Sequence, residues 1–210
     1  MTNFALLQTN IAFCDPEANF KRVRELFAQA MAKDPRPDVV VLPEDWSAGF
    51  SDEMFHHMED FVEPENGPSV TVLRELARQY QVWVVGGSIP ELDGDRVYNT
   101  SYVFAPDGQL LARHRKAHLF DIDVEGGQSF RESDTLSPGN AVTTFETEFG
   151  TCGLCICFDL RFQELARLMT LEGAQVLLVP AAFNMTTGPA HWELLFRQRA
   201  VDGQLFTVGV

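Results

Sequence analysis

The segment Asp38-Val-Val-Val-Leu-Pro-Glu-Asp-Trp46 sets the architecture. Residues 39–42 are apolar at every position, without alternation. A strand with one wet face alternates apolar and polar side chains, so an unbroken run marks a strand covered on both faces. Upstream, residues 17–33 place Phe20, Val23, Leu26, Phe27 and Ala30 on one helical stripe, and Asp15-Pro16 supplies an N-cap and a first helical residue. A second helical stretch, near 69–80, leads into another apolar strand at 82–89. Residues 4–13 read as the first strand. Strands alternating with helices describe parallel crossovers in a layered α/β domain.

Further along, the strands 97–104 and 110–114 flank Ala105-Pro-Asp-Gly108, a hairpin turn, so the sheet is mixed. A long loop over 116–141 contains Gly126-Gly127 and Ser137-Pro-Gly139, and a loop of that length in a compact domain is usually functional. Strands at 142–147 and 151–157, a helix at 160–172, a strand at 174–180, a helix at 190–201 and a strand at 204–210 follow. No linker or repeat interrupts the pattern, which predicts one domain over 1–210. A chain of 210 residues buries enough surface to need no metal or disulfide staple.

Thirty acidic against 16 basic residues give a formal charge of −14, a field that repels phosphate backbones and anionic lipid. Nucleic-acid and membrane-surface partners are therefore not expected. An apolar share of 45%, with 17 Phe, excludes a disordered chain. Of the four cysteines, Cys152, Cys155 and Cys157 crowd one strand and Cys14 stands apart. Strand alternation puts Cys155 and Cys157 on one face and Cys152 on the other, which is poor disulfide geometry. Cys152-x-x-Cys155 has no second ligand pair at zinc spacing. The first 13 residues lack a basic, small-residue-terminated leader pattern, and no apolar run approaches the roughly 20 residues of a membrane span. These features predict a soluble, reduced, cytoplasmic protein.

Three places put a reactive side chain where a strand runs out, the edge at which open α/β sheets bind ligands. Glu44 follows the strand 39–42, where desolvation would raise a carboxyl toward a general base or, more blandly, the acid caps a loop. Lys116 opens the long loop within Arg113-His-Arg-Lys-Ala-His-Leu-Phe-Asp121. It can steady an oxyanion, or pair at the rim with Asp121 and Asp123. Cys157 lies in Cys155-Ile-Cys-Phe-Asp-Leu-Arg-Phe-Gln-Glu164, where a strand turns into a helix. A helix N-terminus there would favour the thiolate, unless the thiol is simply buried. His114, His118 and His191 sit in no local signature. G-x-S-x-G, G-x-x-x-x-G-K-[ST] and G-x-G-x-x-G are absent, which argues against a serine hydrolase and against nucleotide binding.

Together, LPED at 42–45, HRKAHLFD at 114–121 and CICFDLRF at 155–162 resemble the nitrilase superfamily of carbon–nitrogen hydrolases over essentially the whole chain. The resemblance implies a four-layer αββα sandwich and a Glu44–Lys116–Cys157 triad that uses no metal or cofactor. It also implies an oxyanion donor in the backbone N–H of Phe158 and a second, supporting glutamate. The stretch Gln128-Ser-Phe-Arg-Glu-Ser133 assigns that glutamate to Glu132. The family continues for several tens of residues past residue 210, so a C-terminal strand and arm are expected to be missing here. Members commonly form homodimers or higher homo-oligomers.

Residues 180–195, PAAFNMTTGPAHWELL, are similar to the omega-amidase branch, which removes the terminal amide of 2-oxo-dicarboxylate monoamides such as 2-oxoglutaramate. Gly203 stands where that branch typically has Asn. A monoamide of this kind needs a cation for its distal carboxylate. Arg161 and Arg115 are the candidates, although Arg161 could instead bridge Asp159 or Glu164. Phe120, Phe183 and Thr187 are expected to line the pocket. The alternatives are an amidase for N-carbamoyl compounds or deaminated glutathione, a nitrilase, or a binding protein with a vestigial site.

Overall fold

The computed structural model describes residues 1–125 and 129–210, so Gly126, Gly127 and Gln128 lie outside the described residues. Alternate side chains of the 39–42 run enter two different cores. Val39 and Val41 pack with Trp83, Val85 and Val103 against Phe145, Cys152, Leu154, Val176 and Leu178. Val40 and Leu42 pack with Val84 and Phe104 against Val23, Phe27, Leu73 and Leu76. The strand thus belongs to two apolar interfaces at once, which is why it has no polar phase.

The elements in chain order are β1 (Phe4–Leu6), α1 (Pro16–Met31), β2 (Val39–Val41), α2 (Asp52–His56), α3 (Pro68–Tyr80), β3 (Trp83–Val85), β4 (Ile89–Asp93), β5 (Arg96–Phe104) and β6 (Leu110–Arg115). Then come β7 (Asp121–Asp123), β8 (Ser129–Arg131), β9 (Thr144–Thr147), β10 (Gly150–Leu154), α4 (Gln163–Leu171), β11 (Val176–Val179), α5 (Gly188–Gly203) and β12 (Phe206–Gly209). Short 3₁₀ turns occupy Met58–Asp60, Glu132–Asp134 and Cys157–Arg161.

In the first sheet β1, β2 and β3 run parallel, with Phe4 opposite Val39 and Val39 opposite Trp83. β5 runs antiparallel to β3 and β4 along one side and to β6 along the other. The second sheet has the order β12-β11-β10-β9, parallel except at β9–β10. The two sheets face each other through the Val39 core. α1 and α3 cover the outer face of the first, and α4 and α5 cover the second through Leu165, Met169, Leu177 and Leu205. The result is the expected αββα sandwich. No helix of the described residues is long and apolar enough to cross a membrane.

Several elements differ from the sequence reading. The first strand stops at Leu6, because the chain then leaves the sheet. The amide of Asn19 fixes that departure, bonding both backbone groups of Ala12 and the carbonyl of Ser47, each at 2.8 Å. The strand expected over 82–89 breaks at Gly86-Gly87, and the chain resumes as β4 (Ile89–Asp93). The long loop holds a β7–β8 hairpin and a 3₁₀ turn. The strand expected to reach 157 ends as β10 at Leu154, although the N–H groups of Cys155 and Cys157 still donate to the carbonyls of Leu178 and Pro180. The helix that follows starts at Gln163, one 3₁₀ turn later than the junction requires. Asp15 does cap α1, accepting the Ala18 N–H at 3.0 Å.

Gly87 has φ of +62°, and a Cβ there would run into the Pro43 carbonyl oxygen and the Trp46 ring. Gly94 has a similar φ of +64° in open space. Gly87→Ala is expected to cost about 2–4 kcal/mol, against about 1 kcal/mol for Gly94→Ala. Thermal unfolding checks this: the first should lower Tm by roughly 6–12 °C and the second by only a few degrees.

Candidate active site

Each sheet delivers part of one pocket. Glu44 leaves the end of β2 through Pro43, and its loop is locked from below. Asp45 N–H donates to Ser88 Oγ at 3.0 Å, Trp46 Nε1 donates to the Gly86 carbonyl at 2.8 Å, and Trp46 N–H donates to the Ser88 carbonyl at 3.2 Å. Lys116 follows β6, its N–H donating to the Asn99 carbonyl and its carbonyl accepting from Gly139, both at 2.8 Å. Glu132 starts the 3₁₀ turn after β8. Cys157 lies three residues past β10, its N–H held by the Pro180 carbonyl at 2.9 Å. Its φ is +44°, a left-handed conformation that costs a non-glycine residue of order 1–3 kcal/mol. That turn swings the side chain off the strand line. Cys152 and Cys155 occupy opposite faces as alternation predicts, but Cys157 belongs to neither.

The side chains converge. Lys116 Nζ lies 2.8 Å from Glu44 Oε1 and 2.9 Å from Glu132 Oε2, with no exposed surface on any of the three side chains. The second oxygen of Glu44 accepts the Ala182 N–H at 2.9 Å. Glu132 Oε2 accepts the Phe120 N–H at 2.6 Å. The Cys157 thiol lines the same pocket as Glu44 and Lys116, close enough for the charges of both to act on it. Lys116 therefore does not pair with Asp121 or Asp123; Asp121 instead accepts from Ser133.

Around this group Phe50, Phe120, Phe158, Arg161, Phe183, Asn184 and Thr187 line a narrow cleft of about 290 Å³, mouth included. Arg161 bridges to neither Asp159 nor Glu164. Its guanidinium lies 5.3 Å from the Phe158 ring and 5.4 Å from the Phe183 ring. It bonds His191 Nδ1 at 2.9 Å and Thr187 Oγ1 at 3.4 Å, and its buried Nε has no hydrogen-bond partner. Arg115 is not a pocket residue. It points away, bonds Glu91 and Asp93, and stacks on Tyr98.

The electrostatics depart from the sequence reading at one point. Burial, then the neighbouring Glu44, pushes the Cys157 thiol well above its ordinary range, with Lys116 and the Ala182 N–H pulling against them. Cys157 opens a 3₁₀ turn, and the α-helix begins only at Gln163. Burial alone would pull the Lys116 ammonium down, but Glu44 and Glu132 more than offset it and hold the group charged. Burial raises Glu132, with Glu44 adding to it and Lys116 opposing it. Burial and the charge of Glu44 also push the Asp45 carboxyl well up.

Sequence reasoning missed Asn99. Its Nδ2 donates to Glu44 Oε1 at 3.0 Å and to Glu132 Oε1 at 3.4 Å, bridging two like charges. The available signal was Asn99-Thr-Ser101, three consecutive polar residues inside an otherwise apolar strand, all buried. Among the described residues, no group of three or more His, Cys, Asp and Glu is placed to hold a metal ion.

Residues 3–210 match the carbon-nitrogen hydrolase family. The chain belongs to that family. It is 44% identical over 207 residues to the omega-amidase NIT3 of Saccharomyces cerevisiae, covering 97% of this chain and 71% of that one. It is 49% identical over 188 residues to the omega-amidase NIT2 of Danio rerio, covering 90% and 66%. The crystal structure of Saccharomyces cerevisiae Nit3, a member of branch 10 of the nitrilase superfamily, superposes with a TM-score of 0.88 at 41% identity, over 99% of this chain and 74% of that one. This hydrolase thus spans about two thirds to three quarters of the length of these relatives.

The raised thiol has a measurable consequence. Iodoacetamide labelling of Cys157, followed by mass spectrometry across pH, should show a midpoint above the ordinary thiol value near 8.5. Glu44→Gln should lower that midpoint, because it removes a negative charge that disfavours the thiolate.

Proposed function

We propose that this hydrolase cleaves the terminal amide of a small 2-oxo-dicarboxylate monoamide, of the 2-oxoglutaramate kind, to the acid and ammonia through a cysteine thioester. The observation that carries the reading is a buried thiol that shares one cleft with Glu44 and Lys116, themselves ion-paired at 2.8 Å, and with Arg161 in its wall. The omega-amidase relatives support the substrate class.

In this reading Glu44 takes the thiol proton as Sγ attacks the amide carbon. The developing oxyanion is met by the Lys116 ammonium and the Phe158 N–H, and loss of one such donor typically costs roughly 10²–10³ in rate. Glu44 returns the proton to the departing nitrogen and ammonia leaves. Glu44 then takes a proton from water as the water attacks the thioester. The carboxylic acid departs and the thiol is restored. Glu132 keeps Lys116 charged and aimed. No step calls on a metal or cofactor.

Arg161 receives the distal carboxylate. Its aromatic flanks shield it, and its buried Nε has no hydrogen-bond partner among the described residues. Phe120, Phe183 and Thr187 form the rest of the wall. The reading needs Cys157 reduced, which fits a cytoplasmic setting. Leu168, Leu171, Leu194 and Val201 on α4 and α5 are exposed and suit a homodimer.

The test is ammonia release from 2-oxoglutaramate, 2-oxosuccinamate, N-carbamoyl amino acids, deaminated glutathione and simple nitriles. Turnover should be greatest on the first two, and a preference for nitriles or carbamoyl compounds would displace the substrate assignment. Cys157→Ala should lower kcat by at least about 10³ without changing the far-ultraviolet circular dichroism. Arg161→Met should raise KM for 2-oxoglutaramate about 10–100-fold while changing kcat less, the signature of a lost charge-assisted contact.

A further inference from the structure

Asp159 has no role in the chemistry above, yet it is buried with its side chain fully covered. Five donors converge on its two oxygens. Oδ1 accepts the N–H of Ala117 at 3.1 Å, the N–H of His118 at 2.8 Å and His118 Nδ1 at 2.8 Å. Oδ2 accepts the N–H of Ile156 at 3.1 Å and His114 Nε2 at 3.0 Å. The donors fall into two groups. Ile156 belongs to the left-handed turn that carries Cys157. His114, Ala117 and His118 flank Lys116 at positions −2, +1 and +2 along the chain. One carboxylate therefore grips the lysine segment from both sides and closes the cysteine turn, where Asp159 N–H also donates back to the Ile156 carbonyl at 2.9 Å.

The two segments come from different sheets. Lys116 follows β6 of the first and Cys157 follows β10 of the second. Apolar packing between sheets is strong but non-directional, so it fixes the layers without fixing where two side chains meet across them. Hydrogen bonds are directional, and a displacement of about 1 Å in a reacting group can cost on the order of 10²-fold in rate. We propose that Asp159 is the positioning residue that sets the separation of Lys116 from Cys157. The proposal rests on reading those two residues as oxyanion cation and nucleophile. Burial opposes an ionised Asp159, but the bonds from His114 and His118 outweigh it and hold the carboxyl well below its ordinary range, so the tie persists across the working pH. His118 also stacks on Phe162 with centroids 3.8 Å apart.

Asp159→Asn keeps the shape but turns an NH₂ toward donors. Its kcat for ammonia release is expected to fall about 10²-fold with KM within about threefold of wild type. The pH midpoint of Cys157 alkylation should rise, because Lys116 lowers the thiol and a displaced Lys116 does so less. Removing a negative charge would by itself move the midpoint down, so a rise reports displacement and not lost charge. His118→Phe, which keeps the stack and removes one of the five bonds, should show the same two changes at smaller size, roughly fivefold in kcat. It decides the matter if Asp159→Asn does not fold. A folded Asp159→Asn with wild-type kcat and midpoint, or a loss carried wholly by KM, overturns the proposal, and so does an unchanged His118→Phe. If the wild-type protein releases no ammonia from any amide, the functional reading fails by itself. The alkylation midpoints still report whether Asp159 sets the separation.

Discussion

A lysine with no exposed side-chain surface lies between two equally buried glutamates, and the end of every strand near the pocket is arranged around that fact. An ammonium taken out of water is stable only when its partners are close and held still. Lys116 has Glu44 from β2, Glu132 from the long loop, and Asn99 of β5 donating to both carboxylates. Removing the cation would leave two buried like charges, a change of the size, about 3–5 kcal/mol, that breaking buried pairs generally costs. The group is thus structural as well as chemical. The same ion pair that holds Lys116 upright gives Glu44 a fixed position from which to reach the thiol.

Strain is concentrated beside this cluster. Both Asp45 and Cys157 adopt left-handed backbone, at φ of +47° and +44°, though neither is glycine. Asp45 lies four residues past β2 and Cys157 three past β10, and each is tied down by hydrogen bonds. For Asp45 these are the bonds to Ser88 and Gly49; for Cys157, the bond to Pro180 and the turn closed by Asp159. Such conformations persist only where the surroundings over-determine them. The left-handed turn at Cys157 takes its side chain off the line of β10 and into the pocket that Glu44 also lines.

Much of this was legible in the sequence because the cues were local. The unbroken 39–42 run, the Asp15 cap and the stripe on α1 each depend on neighbours within a few residues. Glu44, Lys116, Cys157 and Glu132 were singled out through a family resemblance, and the fold brings their side chains to one place. What escaped reading depends on partners distant in the chain. Arg115 is adjacent to Lys116, yet strand alternation sends it to Glu91 on the far face. The break at Gly86-Gly87 comes from the Pro43 carbonyl and Trp46, about forty residues away. The sign of the Cys157 shift was misread because it is set by burial and by Glu44, more than a hundred residues earlier in the chain, and not by the local strand-to-helix junction.

That sign bears on how such a nucleophile works. A thiolate exposed at a helix terminus reacts with any electrophile or oxidant that reaches it. A thiol kept neutral by burial and by a neighbouring carboxylate is inert until a proton acceptor and an electrophile are both in place. Glu44 is always in place, held by Lys116, Asn99 and the Ala182 N–H. In the proposed reaction the missing partner is the substrate carbonyl, whose oxygen would sit by Lys116 and take up the negative charge as the thiol gives up its proton. The net charge of the pocket then stays constant through the attack, which suits a dry site where creating charge is costly. The raised thiol is therefore an expression of the same buried electrostatics that hold Lys116 between its glutamates.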